Sequence, residues 1–201
     1  MAIKPILFNT EMVRAILDGR KSCTRRIIKP QWEECPHCKY MHNEYIYDEL
    51  AENIYCTRCG YSLVTERRAP YQHGDILYVR ETWCKGSYGN EKEKYYYKAD
   101  DNNFFCTWNP SIHMPKEAAR IWLKVTDVRI ERLQDITADS IRNEGLSSLA
   151  VHCGDMEIAL KEWENLWNST IKKSDIDRYG WDASPWVWVI EFERCEKPEG
   201  V

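Results

Sequence analysis

The chain has 201 residues, 43% of them hydrophobic and 30% charged, with a net charge of −4. That is enough for one well-buried domain with a small appendage, and it argues against a generic polyanion-coating surface. No stretch reaches the roughly 18 apolar residues of a membrane span, and Met1 to Phe8 is too short and too soon interrupted for a signal peptide. The expectation is a cytoplasmic protein without a membrane partner.

Thr10 can cap a short helix from Glu11 to Asp18, whose Met12, Val13, Ile16 and Leu17 form one stripe; Gly19 is the natural stop. Ser22 to Ile28 reads as a strand that Pro30 ends. Residues 31–70 differ in composition, with CxxC pairs, several charges and little periodicity, and read as a ribbon inserted between segments 1–30 and 71–201 of the main domain. That domain resumes at the Gly74-Asp75 turn. Ile76 to Trp83 and Glu93 to Lys98 are strands of β-formers, and Phe104 to Lys116 is an ordered loop rich in aromatic residues. Ile121 to Leu133 is the longest strand signal. Thr137 caps a short helix ending at Gly145. From Asp155 to Lys172, Ala159, Leu160, Trp163, Leu166, Trp167 and Ile171 recur at helical spacing, which favours core positions for the Trp pair over a base-stacking platform. Trp186 to Glu193 is the last strand. About five or six strands and three or four helices, not in βαβ order, predict an α+β domain around a small barrel.

Nine cysteines are present. Without a signal peptide, metal binding outranks disulfides. Cys35, Cys38, Cys56 and Cys59 have the spacing C-x2-C-x17-C-x2-C. Two CxxC turns point two thiolates each at one ion and close a tetrahedron, the pattern of a structural zinc site with no open position for water. The alternative is four unrelated reduced cysteines. Pro36 and Gly60 suit the knuckle turns, and the nearby His37 and His42 are read as bystanders. Cys23, Cys84, Cys106, Cys153 and Cys195 lack ligand spacing and are taken as small buried or semi-buried apolar residues.

From Arg14 to Lys29, six basic side chains face only Asp18, a local charge of +5 on an acidic chain. This reads either as one anionic-ligand site or as a solvated face. On the strand, Ser22, Thr24 and Arg26 share a side beside Lys21, as a pocket lining or as an exposed salt-bridged edge. A hydroxyl near a Lys becomes a nucleophile when the amine has lost its proton. Glu144 ends a helix, where the dipole disfavours a carboxylate, so it is either functional or an ordinary solvated Glu. Arg80 and Glu81 interrupt an apolar strand, as functional groups or as an ion pair.

The run GRKSCTRR (Gly19 to Arg26) resembles the GRKTxTxR-type signature of the ASCH domain, a branch of the PUA-like superfamily. KPILFNTEMVRAILDGRK, HGDILYVRETW, WNPSIHMP, VTDVRIERLQDIT and YGWDASPWVWVIEF resemble the longer ASCH proteins of bacteriophages and prophages, some of which carry a CxxC insertion after the first strand. Together these runs span nearly the whole chain outside the ribbon. The resemblance implies a PUA-like pseudo-barrel with flanking helices and a cleft for RNA or a modified nucleoside. Arg20, Ser22, Arg25, Arg26 and Arg80 would contact that ligand. Some compact ASCH proteins deacetylate N4-acetylcytidine. Carried over, Thr24 would be the nucleophile, Lys21 its activator and Glu144, within ITADSIRNEG, the acid/base. Ser22 stands where the motif has its first Thr, and Arg25 where the short hydrolases have an apolar residue. Recognition of RNA or a nucleoside is thus the leading expectation, amidohydrolysis the first alternative, and a zinc-ribbon adaptor docking on a protein the second.

Overall fold

In the computed structural model the described residues are 1–29, 31, 35, 37–40, 46–48, 53–62, 69–87, 92–100, 106–146 and 155–200, with backbone alone for 46–48, 53 and 54. The chain opens with β1 (Ile3–Leu7), a strand that its Lys4-Pro5 interruption conceals at the sequence level. Helix α1 (Thr10–Leu17) follows. Asn9, not Thr10, is its N-cap, and its side chain accepts from the Met12 N–H. Gly19, at φ +74°, lets the chain turn back after the helix. The Arg20 and Lys21 N–H groups both donate to Ala15 O before β2 (Cys23–Ile27) begins.

The insertion contributes the antiparallel hairpin β3 (Ile46–Asp48) and β4 (Asn53–Tyr55). In the main domain, β5 (Ile76–Arg80) and β6 (Trp83–Gly86) divide the single strand expected over this stretch, and β7 (Lys94–Tyr97) pairs with β6. The chain continues through β8 (Trp122–Arg132), α2 (Ala138–Asn143), α3 (Met156–Ser169), α4 (Ile176–Tyr179) and β9 (Trp186–Cys195). Five strands form one sheet in the order β1-β5-β8-β9-β2, with β1 and β5 parallel and the other pairs antiparallel. A bulge between Val125 and Asp127 of β8 bends it. The edge strands approach at one end, where Arg26 Nη2 of β2 donates to Leu7 O of β1 at 2.9 Å. The sheet therefore curls toward a barrel, and the α+β class read from the sequence stands.

Interior strand β9 is apolar on both sides because both faces of the sheet are covered. Trp186, Trp188, Ile190 and Phe192 join a core with Ile6, Leu77, Leu123 and the α1 residues Val13 and Ile16. Val187 and Val189 face the other way, into a cluster with Leu133, Ile141 and the α3 residues Ala159, Trp163 and Trp167. Trp163 and Trp167 are thus core, as their helical phase predicts. Trp167 Nε1 also donates to Tyr179 O at 2.8 Å.

Two sequence readings are corrected. Cys84 and Cys106 are joined in a disulfide rather than standing as isolated small apolar residues. Cys23 and Cys195 remain free thiols, and Cys153 lies outside the described residues. Glu81 is a buried ion-pair partner of Arg120, not of Arg80, with a two-point contact at 2.9 and 3.0 Å.

Candidate functional site

The tight exit from α1 places Lys21 beside the end of α2. Lys21 and Glu144 form an isolated antiparallel bridge, and the Ser22 N–H donates to Asn143 O at 2.8 Å. Close approach at this point depends on Gly145. It adopts φ +90°, and a Cβ there would lie 2.7 Å from Ala15 Cβ and 2.9 Å from Lys21 Cβ. Only glycine meets both conditions at once.

Glu144 is the C-cap of α2. Lys21 Nζ donates to its carboxylate Oε2 at 2.7 Å and to its backbone carbonyl at 2.9 Å. One ammonium thus offsets the carboxylate and also satisfies a carbonyl at the helix C-terminus. Arg25 Nη1 meets the other carboxylate oxygen, Oε1, at 3.2 Å, and Arg25 Nη2 meets Glu131 Oε2 at 3.0 Å. The side chains of Lys21, Arg25 and Glu144 are 1%, 0% and 4% exposed. Arg25 is therefore an internal ion-pair residue rather than part of an open anion-binding surface. The thiol of Cys23 lies next to this cluster, and burial, aided by the Glu144 charge, pushes it up to about 12. It stays a neutral thiol near pH 7 and is not a nucleophile there.

These residues line one pocket. Lys21, Thr24, Arg25, Arg26 and Glu144 form its polar side, and Phe8, Met12, Trp163, Leu166 and Trp167 its apolar walls. Thr24 is buried and lines the pocket. Arg26 lies over the Phe8 ring at 5.4 Å, with Lys21 Nζ 5.5 Å from the same ring centroid. Burial lowers the Arg26 pKa from its usual value. The three residues proposed for catalysis from the sequence thus converge across more than a hundred positions of chain.

Three other proposed ligand contacts are not in the lining. Arg20 grips Gly145 O at 2.6 Å and Asp18 at 2.9 Å, bracing the turn. Ser22 is held through its backbone between Asn143 and Phe192. Arg80 donates from Nε to Met114 O at 2.8 Å. Conversely, Phe8, Asn9 and the α3 residues line the pocket although the sequence reading gave them no site role. The +5 charge count dissolves in the same way, since Arg14 pairs with Glu11, Arg20 with Asp18, and Lys21 and Arg25 with Glu144.

The four cysteines of the insertion form a second cluster. All four Sγ atoms lie within 4.8 Å of one another, with Cys35 to Cys59 at 3.7 Å and Cys38 to Cys56 at 3.6 Å. Metal–sulfur bonds of about 2.3 Å at tetrahedral angles put sulfurs about 3.8 Å apart, so the cluster can hold one metal ion. The two knuckles fold alike. Lys39 N donates to Cys35 O and Gly60 N to Cys56 O, both at 2.9 Å, and the Cys35 and Cys56 N–H groups donate to Tyr40 O and Tyr61 O. Lys39, at φ 57°, takes the left-handed position that Gly60 fills in the second knuckle. His37 stacks on Tyr61, with centroids 5.4 Å apart, and Tyr61 packs against the main core. Pro36 and His42 lie outside the described residues.

No family model and no curated protein matches the chain. Among solved structures it is similar to the ASCH domain from Lactobacillus crispatus JV V101, at 11% identity and a TM-score of 0.40, covering 96% of this chain and 79% of that one. It is also similar to a protein from Enterococcus faecalis V583, at 8% identity and a TM-score of 0.44, covering 97% and 76%. A hypothetical protein matches at 14% identity and a TM-score of 0.37, covering 97% and 100%.

Proposed function

We propose that this chain is an ASCH-type, PUA-like module that takes a modified nucleoside, or one residue of a single-stranded RNA, into the pocket between β2 and α3. The carrying observation is a pocket with a polar side at Lys21, Thr24, Arg26 and Glu144 and aromatic walls at Phe8, Trp163 and Trp167. Planar apolar walls suit the faces of a base and polar groups suit its edge. The internal pairing of most nearby cations favours a single base over a long stretch of phosphate backbone.

A second reading, hydrolysis of an N4-acyl amide on that base, is favoured by the convergence of Lys21, Thr24 and Glu144. Passing a proton from Lys21 Nζ to Glu144 Oε2 across their 2.7 Å contact turns ammonium and carboxylate into amine and carboxylic acid. The amine takes the Thr24 proton as Oγ1 bonds to the acyl carbon. The acid protonates the base nitrogen as the C–N bond breaks. Water then hydrolyses the acyl-threonine ester, releasing the carboxylic acid and restoring the hydroxyl. Incubation with N4-acetylcytidine, with equilibrium binding measured alongside, tests both readings. Thr24→Ala should abolish turnover without unfolding the chain, and Lys21→Ala should abolish it while also lowering stability, because it leaves Glu144 one buried cation short.

For the insertion we propose a structural zinc ion at Cys35, Cys38, Cys56 and Cys59. Four thiolates fill the tetrahedral shell and leave no position for substrate.

A further inference from the structure

Arg25 presents the hydrolytic reading with a difficulty that the structure also resolves. Glu144 must accept a proton from Lys21 and later release it, yet Arg25 holds its other oxygen at 3.2 Å. A guanidinium in a buried site stabilises the carboxylate and so resists that proton transfer. Arg25 is not left to Glu144 alone. Its second nitrogen, Nη2, is bound by Glu131 Oε2 at 3.0 Å, on the neighbouring reach of the sheet. Glu131 is itself fixed, because Arg129 Nε meets its Oε1 at 2.6 Å. Arg129 is anchored in turn by Asp127 at 2.8 Å and Glu191 at 2.6 Å.

The register explains why these groups meet. Val189 of β9 stands opposite Arg25 of β2 on one side and Arg129 of β8 on the other. A small apolar residue between two arginines leaves room for Arg25 to reach Glu131. Thr24 and Arg26 alternate to the opposite side of β2, as strand geometry requires.

Resting on the amidohydrolase reading, we propose that Glu131 is a positioning residue that acts through Arg25. It offsets the guanidinium charge beside Glu144, which eases the exchange of a proton between Glu144 Oε2 and Lys21 Nζ. Glu131 touches neither Lys21 nor Thr24 and acts only through this relay.

The test compares Glu131→Gln with the double variant Arg25→Met, Glu131→Gln, using N4-acetylcytidine as probe and thermal unfolding as control. Glu131→Gln keeps the shape and an acceptor oxygen but removes the charge. It should lower kcat about tenfold or more with KM nearly unchanged, because the loss falls on the proton-transfer step and not on binding. Adding Arg25→Met removes the unbalanced cation and should raise kcat above that of Glu131→Gln. A Glu131→Gln chain with wild-type kcat, a loss confined to KM or to folding, or a double variant no better than the single one overturns the relay while leaving the hydrolase reading in place. A wild-type chain that binds the nucleoside but never releases cytidine overturns both.

Discussion

Glu144 sits where its own helix disfavours it and is held there by two buried cations. Replacing it by Gln leaves the buried Lys21 and Arg25 without their shared counter-charge. Removing one partner of a buried ion pair costs about 3–5 kcal/mol, so Glu144→Gln should lower the unfolding free energy by that order in a denaturant titration. A loss under about 0.5 kcal/mol, the scale of an exposed substitution, would contradict the buried geometry. Asp75 makes a simpler test at the same scale. Burial pushes its carboxyl up, but the hydrogen bonds from Lys4 Nζ and the Ala2 and Gln72 N–H groups outweigh burial and hold it below the ordinary carboxylate value. A lowered folded value contributes stability that is complete above the unfolded value and is lost as pH falls through the folded one. Asp75→Asn should therefore be less stable than the parent at pH 7, and the gap should close below about pH 4. An equal gap at pH 7 and pH 2 would argue against it.

Individual elements differ in how far the sequence announced them. Helix α2 is legible from its Thr137 cap and Gly145 stop, and α3 from its apolar stripe; Thr137 and Asp155 accept from the Ser140 and Ile158 N–H groups, as N-cap residues do. Strand β1 was not legible, since five residues with Lys4-Pro5 inside show no alternation and its pairing with β5 is non-local. The break between β5 and β6 is set by Glu81 turning to Arg120, a partner 39 positions away that no local pattern reveals. The motif strand is legible in the sequence, where β-forming residues run from Ser22 to Ile28 against the observed Cys23–Ile27. The α3 wall was not recognised as part of the site, because helical periodicity reports burial without reporting a void beside the buried face. The Trp pair accordingly has two roles. Trp167→Ala removes a buried indole and its bond to Tyr179, at a cost of about 3–5 kcal/mol, and it should also weaken nucleoside binding. Reduced stability with unchanged affinity would place the pocket elsewhere.

At the level of the whole molecule, an α+β body carries the pocket and an inserted ribbon carries the cysteine cluster. The CxxC spacing alone foretold that cluster, because chelation is local to each knuckle. The Cys84–Cys106 disulfide has no such signature and was not foreseen. Binding of a structural zinc in small ribbons is worth about 10 kcal/mol or more, so folding of the insertion should be inseparable from its metal. Elemental analysis should find one zinc per chain, and Cys35→Ser or a strong chelator should release it and expose the ribbon to protease. A metal-free chain with a protease-resistant ribbon would refute the assignment.

A single incubation of wild-type and Thr24→Ala protein with N4-acetylcytidine, following both bound nucleoside and released cytidine, tests the pocket. Wild type should bind the nucleoside and release cytidine. Thr24→Ala should bind it with similar affinity and release none, since the hydroxyl is lost while Phe8, Trp163 and Trp167 remain. Absence of binding by both proteins would contradict a nucleoside pocket between β2 and α3.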